Sequence, residues 1–436
     1  MTPDEAFLHD VCEHPDDDAP RLVYADWLDE HGEADRAEFI RVECELEHTE
    51  EYSPRWRQLS ARQLALIRAH KKEWVKPFKG WTYSTRFRCG FVETVMVSQK
   101  QFTARAAELF RLSPVRTLQF TRLCAPDTMR VPAATVEALA AVPELRRASG
   151  LTFGNQFLTD DALQAFLAAA DLRNLTGLSL NLCRLTITGL EALAATPGLA
   201  GLTALNLSQN NLGDGAVAAL VRAPAFRLGS LDLTRNQITD AGARALAESP
   251  SLAGLRKLAL WGNQLSDEGL RALVQSPNLT ALTHLQLGVY GSRSALTDAS
   301  LRALAQSPYT PRLATLDLEG SLVGDAGLAA LAGYRHLDAL RQLNLAKGHA
   351  RLFDPAAVRI TDAGARVLAM LPALGGLRWL NLENNALTDA GAQALLAAPH
   401  LAGLGHLNLK GSRVSAETQR AFRKRYGPGV CTFSRP

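Results

Sequence analysis

The sequence predicts an α/β solenoid, with a parallel β-sheet on its concave face, helices on its convex face and a small all-α N-terminal module. Three observations predict it. An eleven-residue phrase, LxxLxLxxNxL, recurs from about residue 148 onward, most copies lying 26 or 27 residues apart. A helix-forming phrase of the type Thr239-Asp240-Ala241-Gly242-Ala243-Arg244-Ala245-Leu246-Ala247 follows the copies. Ahead of the repeats the charge reverses sign: residues 1–54 hold eighteen Asp/Glu against three Arg, and residues 55–89 hold ten Lys/Arg against one acid. Such a reversal marks a module boundary in a chain whose net charge is only +3.

The N-terminal module comes first. Phe7, Leu8 and Val11, then Leu22, Tyr24, Ala25 and Leu28, recur at helical spacing, with Pro15 and Gly32 as breaks. This predicts three short helices, about 3–13, 19–31 and 34–48. Trp27 and Tyr24 read as core or docking aromatics, and Arg21 and Asp26 as a pair across the module. The basic segment that follows offers a helix over 55–76 against which the acidic module can dock and cap the solenoid. The same acidic surface could instead recruit a separate basic partner. The expected organisation is an acidic module at 1–50, a basic helix and connector at 51–90, the solenoid at 91–415 in about twelve units, and a capping helix and strand at 416–436.

Within the repeats, the full phrase reads Leu202, Leu205, Leu207, Asn210, Leu212, and again from Leu228, Leu255 and Leu377. Cys183, Ser321 and Ser412 take the Asn slot in other copies. Alternation in Leu205-Asn206-Leu207-Ser208 is strand periodicity, leucines inward and Asn206 and Ser208 outward. The Asn amide can satisfy backbone groups where the chain leaves the strand. Thr or Ser before Asp is a helix N-cap with an acid in the first turn, and Ser-Pro or Ala-Pro stops the helix. Each unit is a strand, a turn and a helix that cannot bury its apolar side alone, so neighbours stack. Upstream, Val92/Val95/Val97 and Val115/Leu118/Phe120 predict two further strands. Three irregular units, with insertions between Phe120 and Leu151, at 288–295 and at 347–359, are expected to protrude along one rim.

These phrases carry two resemblances. The ITDAGARALA-type helix half is similar to the ribonuclease-inhibitor class of leucine-rich repeats, which includes the Ran GTPase-activating protein, over roughly residues 90–415. The resemblance implies a leucine-rich-repeat solenoid whose relatives mostly bind proteins. The phrase Arg21-Leu22-Val23-Tyr24-Ala25-Asp26-Trp27-Leu28, with Ala37-Glu38-Phe39-Ile40-Arg41 after it, resembles the bacterial repeat-companion domain. That likeness continues into Glu73-Trp74 and Phe87-Arg88-Cys89-Gly90-Phe91-Val92-Glu93.

Several function classes find little support. The first residues carry acids and no basic leader, no apolar run is long enough to span a bilayer, and six scattered cysteines form no CxxC pair. The expectation is a soluble, cytoplasmic protein. No GxxxxGK[ST], HExxH, GxSxG or GxGxxG occurs, so no catalytic residue, cofactor or enzyme activity is expected. His9, Cys12 and His14 lack an obvious fourth ligand and read as a helical surface cluster, not a metal site. Arg68, Lys71, Lys72, Lys76 and Lys79, interleaved with Trp74, Phe78 and Trp81, could grip a phosphate backbone. The adjacent acidic module makes charge compensation the better account, and a nucleic-acid partner is disfavoured.

The outward strand positions are the candidate binding residues. Trp261 stands out as an interface anchor, with Trp379 on the same face. Asp317, Glu319 and Glu383 suggest an acidic patch toward the C-terminal half, and Asp232 extends the row. The expected function is a non-catalytic scaffold that binds a protein partner on the concave face. The alternatives are regulation of an enzyme, by inhibition or GTPase activation, and nucleic-acid binding through residues 55–89.

Overall fold

The computed structural model describes residues 2–124, 130–222, 226–289, 295–347 and 359–434. The chain divides into two units, residues 1–206 and 207–436. Among the described residues no helix is long and apolar enough to cross a membrane.

Unit 1 opens with α1 (Pro3–Glu13), α2 (Asp18–Glu30), α3 (Ala34–His48) and α4 (Pro54–Trp74), close to the helices that the apolar spacing predicts. Thr2, Asp17 and Ser53 cap α1, α2 and α4. The side chains that α2 buries differ from the expectation. Leu22 is 39% exposed, whereas Arg21 is 2% exposed. Arg21 is tolerated inside because it donates to the carbonyls of Pro15 at 2.5 Å and Asp17 at 2.8 Å. Nor does Arg21 pair with Asp26: residues five apart on a helix lie about 140° apart around its axis. Asp26 is bound instead by Arg41 of α3 at 2.7 Å. Tyr24, Ala25, Leu28, Ile40, Cys44 and Phe91 form the core of this region, with Trp27 packed against it.

Opposite charges join α3 to α4. Arg55 bonds Glu45, Arg62 bonds Glu38, and His70 approaches Asp35 at 2.9 Å. The chain then forms the antiparallel hairpin β1 (Ser84–Arg88) and β2 (Phe91–Ser98). Its turn is docked on α3: the buried Glu43 accepts from Gly90 N–H at 2.6 Å and from Gln63 at 2.9 Å. A side chain at Gly90, whose φ is +83°, would collide with Ile40. The strand–helix units follow: α5 (Gln99–Leu112), β3 (Thr117–Thr121), α6 (Ala133–Ala140), β4 (Gly150–Thr152), α7 (Asp160–Ala169), β5 (Gly177–Ser179), α8 (Ile187–Ala195) and β6 (Ala204–Asn206). From β2 to β6 each strand pairs in parallel with the next.

Unit 2 continues with α9 (Gly213–Val221), β7 (Ser230–Asp232), α10 (Asp240–Glu248), β8 (Lys257–Ala259), α11 (Asp267–Val274), β9 (His284–Gln286), α12 (Asp298–Ala305) and β10 (Thr315–Asp317). After them come α13 (Asp325–Leu331), β11 (Gln342–Asn344), α14 (Asp362–Ala369), β12 (Trp379–Asn381), α15 (Asp389–Ala397) and β13 (His406–Asn408). The helix α16 (Ala416–Tyr426) and strand β14 (Cys431–Thr432) end it. Strands β7 to β14 pair in parallel, in chain order, with the central leucines of β7 to β13 in register and Leu407 opposite Cys431 of β14. The inward Leu231, Leu233, Leu258 and Leu260 are at most 1% exposed, so the alternation read from sequence places the core correctly.

Two hydrogen-bond ladders set the stacking. In the first, the Asn236 side chain accepts from Asn210 N–H at 2.9 Å and donates to the Leu207 carbonyl at 2.9 Å. Asn263 repeats this toward Asn236 N–H and the Leu233 carbonyl. The second ladder gives the Thr-Asp-Ala-Gly phrase a meaning beyond helix capping. Thr239 caps its own helix by accepting from Ala241 N–H, and its hydroxyl donates to Asp214 of the preceding repeat at 2.6 Å. The same contact joins Asp160 to Thr186, Asp240 to Ser266, Asp267 to Thr297, Asp325 to Thr361 and Asp362 to Thr388. A Cβ on Gly189, Gly242, Gly269, Gly364 or Gly391 would run into the carboxylate so engaged, which explains the glycine of the phrase. In α8 the position of the aspartate is taken by Ile187, which is 43% exposed.

The insertions at 288–295 and 347–359 fall largely on residues 290–294 and 348–358, and that after Phe120 partly on 125–129. Their expected protrusion along one rim lies outside the described residues. The ladder carries on past them. Asp325 and Thr361 are 36 residues apart yet bond as Asp362 and Thr388 do at 26.

Candidate partner-binding face

The outward rows of unit 2 hold all six residues singled out from the sequence. Asp232 lies at the end of β7, Asp317 at the end of β10 and Trp379 at the start of β12. Trp261, Glu319 and Glu383 each stand two residues past the end of β8, β10 and β12. The structure gives them two kinds of role.

Asp232 and Asp317 serve their own backbone. Asp232 accepts from Thr234 N–H at 2.9 Å and Asp317 from Glu319 N–H at 2.9 Å. Asn344, Asn381 and Asn408 make the same bond to Ala346, Glu383 and Lys410. A short acceptor at this position satisfies the N–H where the strand ends, so the row is acidic or amidic for a structural reason. Burial pushes the Asp317 carboxyl above its ordinary range, against the bonds from Glu319 N–H and Asn344.

Glu319 and Glu383 are held by the neighbouring strand. Asn344 donates to Glu319 at 3.3 Å and Asn408 to Glu383 at 2.9 Å. Lys410 lies 3.6 Å from Glu383. Each asparagine is itself fixed by its own N–H contact two residues on, so both carboxylates are positioned by a bonded partner that is already oriented. They stand two strands apart, about 10 Å at ordinary strand spacing.

Trp261 is half-buried, not projecting as the sequence suggests. The guanidinium of Arg235 lies 4.9 Å from its ring centroid on one side. On the other, the indole covers Gly288: a Cβ there would be 2.5 Å from Trp261 Cδ1 and 3.2 Å from Asp317 Oδ1. Gly288 therefore brings Trp261 and Asp317 onto one patch. Trp379 stacks on His406 of the next strand, centroids 5.5 Å apart and planes at 12°, and burial lowers the affinity of that imidazole for a proton. The sequence reading missed Arg235 and His406, and placed Gly288 in the outward row without its contact to Trp261. The row register already places Gly288 and His406 beside the tryptophans; what it lacks is the side-chain direction.

The other sequence candidates do not converge. Cys12 is buried, with its thiol toward the Arg111 carbonyl, while His9 and His14 face outward and His14 bonds Asp10. Of the basic segment, Lys71, Lys72, Lys76 and Lys79 are exposed, but Phe78 and Trp81 are buried. Trp74 is stacked on Phe39 and covered by Arg36 at 4.8 Å. The aromatics that would stack on bases are thus turned into the protein.

A family model for the leucine rich repeat matches residues 202–221, 228–247, 255–274 and 377–396. No curated protein matches the chain. Similar solved structures include an internalin (InlF) from Listeria monocytogenes, 21% identical with a TM-score of 0.46, covering 79% of this chain and 87% of that one. The crystal structure of the Rad7 and Elc1 complex in yeast is 17% identical over 94% of each chain, with a TM-score of 0.43. The recurring units of this chain are leucine-rich repeats, stacked as a solenoid in each unit.

Proposed function

We propose that the chain is a non-catalytic interaction scaffold that binds a protein partner on the sheet face of unit 2. The observation that carries this reading is the row formed by Trp261, Glu319 and Glu383, with Trp379 on the same face four residues before Glu383. Two braced indoles stand four strands apart and four residues out of register, about 23 Å at ordinary strand spacing and rise, with the two held carboxylates in the row of Trp261. Oriented aromatics lose little conformational freedom on binding and make good anchors. Paired carboxylates select a basic partner, steering its approach more than deciding its affinity. A cleft of about 500 Å³ bounded by Arg235, Gly262, Val289 and Ala295 opens beside Trp261 and could receive a partner side chain.

The N-terminal module acts in this reading as a cap on the array, in line with its expected extent of residues 1–50. The ion pairs between α3 and α4 and the docking of Gly90 on Glu43 support it. So do the contacts of Asp16 with Arg116 at 2.7 Å and of Glu13 with Arg147 at 3.0 Å. The full helices of seven to ten residues in the repeats support the ribonuclease-inhibitor-like subclass.

The test is affinity capture from native-host lysate with the intact chain, beside Trp261→Ala/Trp379→Ala and Glu319→Lys/Glu383→Lys variants of unchanged circular dichroism. Loss of one and the same partner from both variants supports the face. An identical capture profile for all three chains rules it out.

A further inference from the structure

The helical region of unit 1 gathers four side chains that sequence spacing does not connect. Cys44 of α3 and Cys89 of the β1–β2 turn are both buried, and their sulfurs lie with a carboxylate oxygen of Asp18 in one cluster, every ligand atom within 4.8 Å of the others. His48 sits one helical turn beyond Cys44, on the same face of α3, with its Nε2 3.1 Å from Asp18 Oδ2. We propose that Asp18, Cys44, His48 and Cys89 form a tetrahedral zinc site tying α2, α3 and the β1–β2 turn together.

The donor set fits zinc, which takes thiolate, imidazole and carboxylate ligands in fours. With Zn–S near 2.3 Å and Zn–N or Zn–O near 2.0 Å, tetrahedral ligand atoms lie roughly 3.3–3.8 Å from one another. The Asp18, Cys44 and Cys89 atoms lie at most about an ångström beyond that range, and His48, which touches Asp18 but stands outside that cluster, completes the set by turning its exposed side chain toward the sulfurs. Cys89 is delivered by a rigid device: its turn carries φ of +46° at Cys89 and +83° at Gly90, and the Glu43 bond pins the turn to α3. His48 is exposed and Asp18 partly so, which leaves an open side for the ion to enter.

Charge supplies the second argument. A zinc ion with two thiolates and one carboxylate leaves a single negative charge. Arg21 is buried beside it, Nη1 3.4 Å from Asp18 Oδ1, and its charge is felt at the Cys44 thiol. Its Nε has no hydrogen-bond partner. A buried guanidinium needs a counter-charge; Asp18 supplies it in the empty site, and the loaded site keeps the same single negative charge. In the thiol form, the contact with Cys89 and then burial hold the Cys44 proton well above the usual thiol range. Metal binding releases both thiol protons, so affinity rises with pH.

The experiment is Co²⁺ titration of the full-length, reduced, chelator-treated chain, followed by Zn²⁺ competition. One equivalent should give visible ligand-field bands and a near-ultraviolet sulfur-to-cobalt band, both erased by zinc. Two of the six thiols should become protected from alkylation. Cys89→Ser should lower the sulfur-to-cobalt band to about half or less per bound cobalt, since only one of the two thiolates remains. His48→Ala, a change at an exposed side chain, should weaken Co²⁺ binding at least about tenfold with unchanged circular dichroism. Absence of a sulfur-to-cobalt band in the reduced wild-type chain overturns the proposal, as does a band of undiminished intensity in Cys89→Ser. A Cys44–Cys89 disulfide in the isolated chain, with no cobalt band after reduction, marks the pair as a redox couple and overturns it equally.

Discussion

The carboxylate of Asp240 receives both the backbone N–H of Ser266, at 2.8 Å, and its hydroxyl, at 2.5 Å, from the next repeat along the chain. A residue in the first turn of one helix thereby anchors the start of the following one. Asp240→Ala should destabilise the chain by about 1–3 kcal/mol, since the Ser266 groups lose their acceptor in a half-buried place. Gly269→Ala should also destabilise, although alanine is the better helix former by about 1 kcal/mol, because the added methyl meets the Asp240 carboxylate. Urea denaturation of both variants checks this; a stabilised Gly269→Ala would show that the contact is slack.

Asn236 is fully buried and serves backbone groups on both sides of the turn. Asn236→Ala should cost about 3 kcal/mol or more, through buried groups left without a partner. Asn236→Asp keeps the acceptor and loses the donor, so it should also destabilise. Thermal denaturation of the two variants distinguishes a bonded role from one of packing, in which the near-isosteric aspartate would behave as wild type.

Two carboxylates should impose opposite pH dependences. Burial raises Glu43 above its ordinary 4.5, against the bonds from Gly90 and Gln63. Its contribution to stability is complete below that value and is lost as pH rises through the folded one. Asp362 goes the other way. Burial pushes it up, but the bonds from Thr388 and Gly391 prevail and hold it below 3.8, so its contribution is present above that pH and lost as pH falls through the folded value. Glu43→Gln should flatten the decline in melting temperature above pH 4.5, and Asp362→Asn the decline below 3.8. A wild-type profile in either variant refutes the assignment for that residue.

Gly288→Ala should displace the indole of Trp261, since the new methyl would lie 2.5 Å from its Cδ1. The expected result is a changed near-ultraviolet circular dichroism signal that is absent from a Trp261→Phe background, together with weakened partner capture. Unchanged spectra would mean that the indole does not rest on Gly288.

Much of this architecture is legible in the sequence because its determinants are local. Leucines alternating with polar residues specify the strand face, Thr-Asp specifies the helix start, and the phrase length specifies the stacking. What escapes is whatever depends on a partner far along the chain. Asp240 reads as a cap, and nothing within its own helix shows that it also bonds Ser266. Leu22 and Arg21 exchange their expected places because the carbonyls of Pro15 and Asp17 are there to receive a guanidinium. Asp232 and Asp317 read as outward acids, and the sequence does not show that their own backbone also uses them. Cys44 and Cys89 are far apart in sequence and meet only because Gly90 docks on Glu43.

The aspartate and asparagine ladders have a consequence for how such an array changes over generations. Each regular unit carries a donor group at its leading side and an acceptor at its trailing side, and so matches any other unit of the same kind. Duplication or deletion of a whole unit recreates the junction it interrupts, whereas loss of a few residues between a hydroxyl and its carboxylate does not. Array length is therefore open to evolutionary trial, while the register within a unit is not.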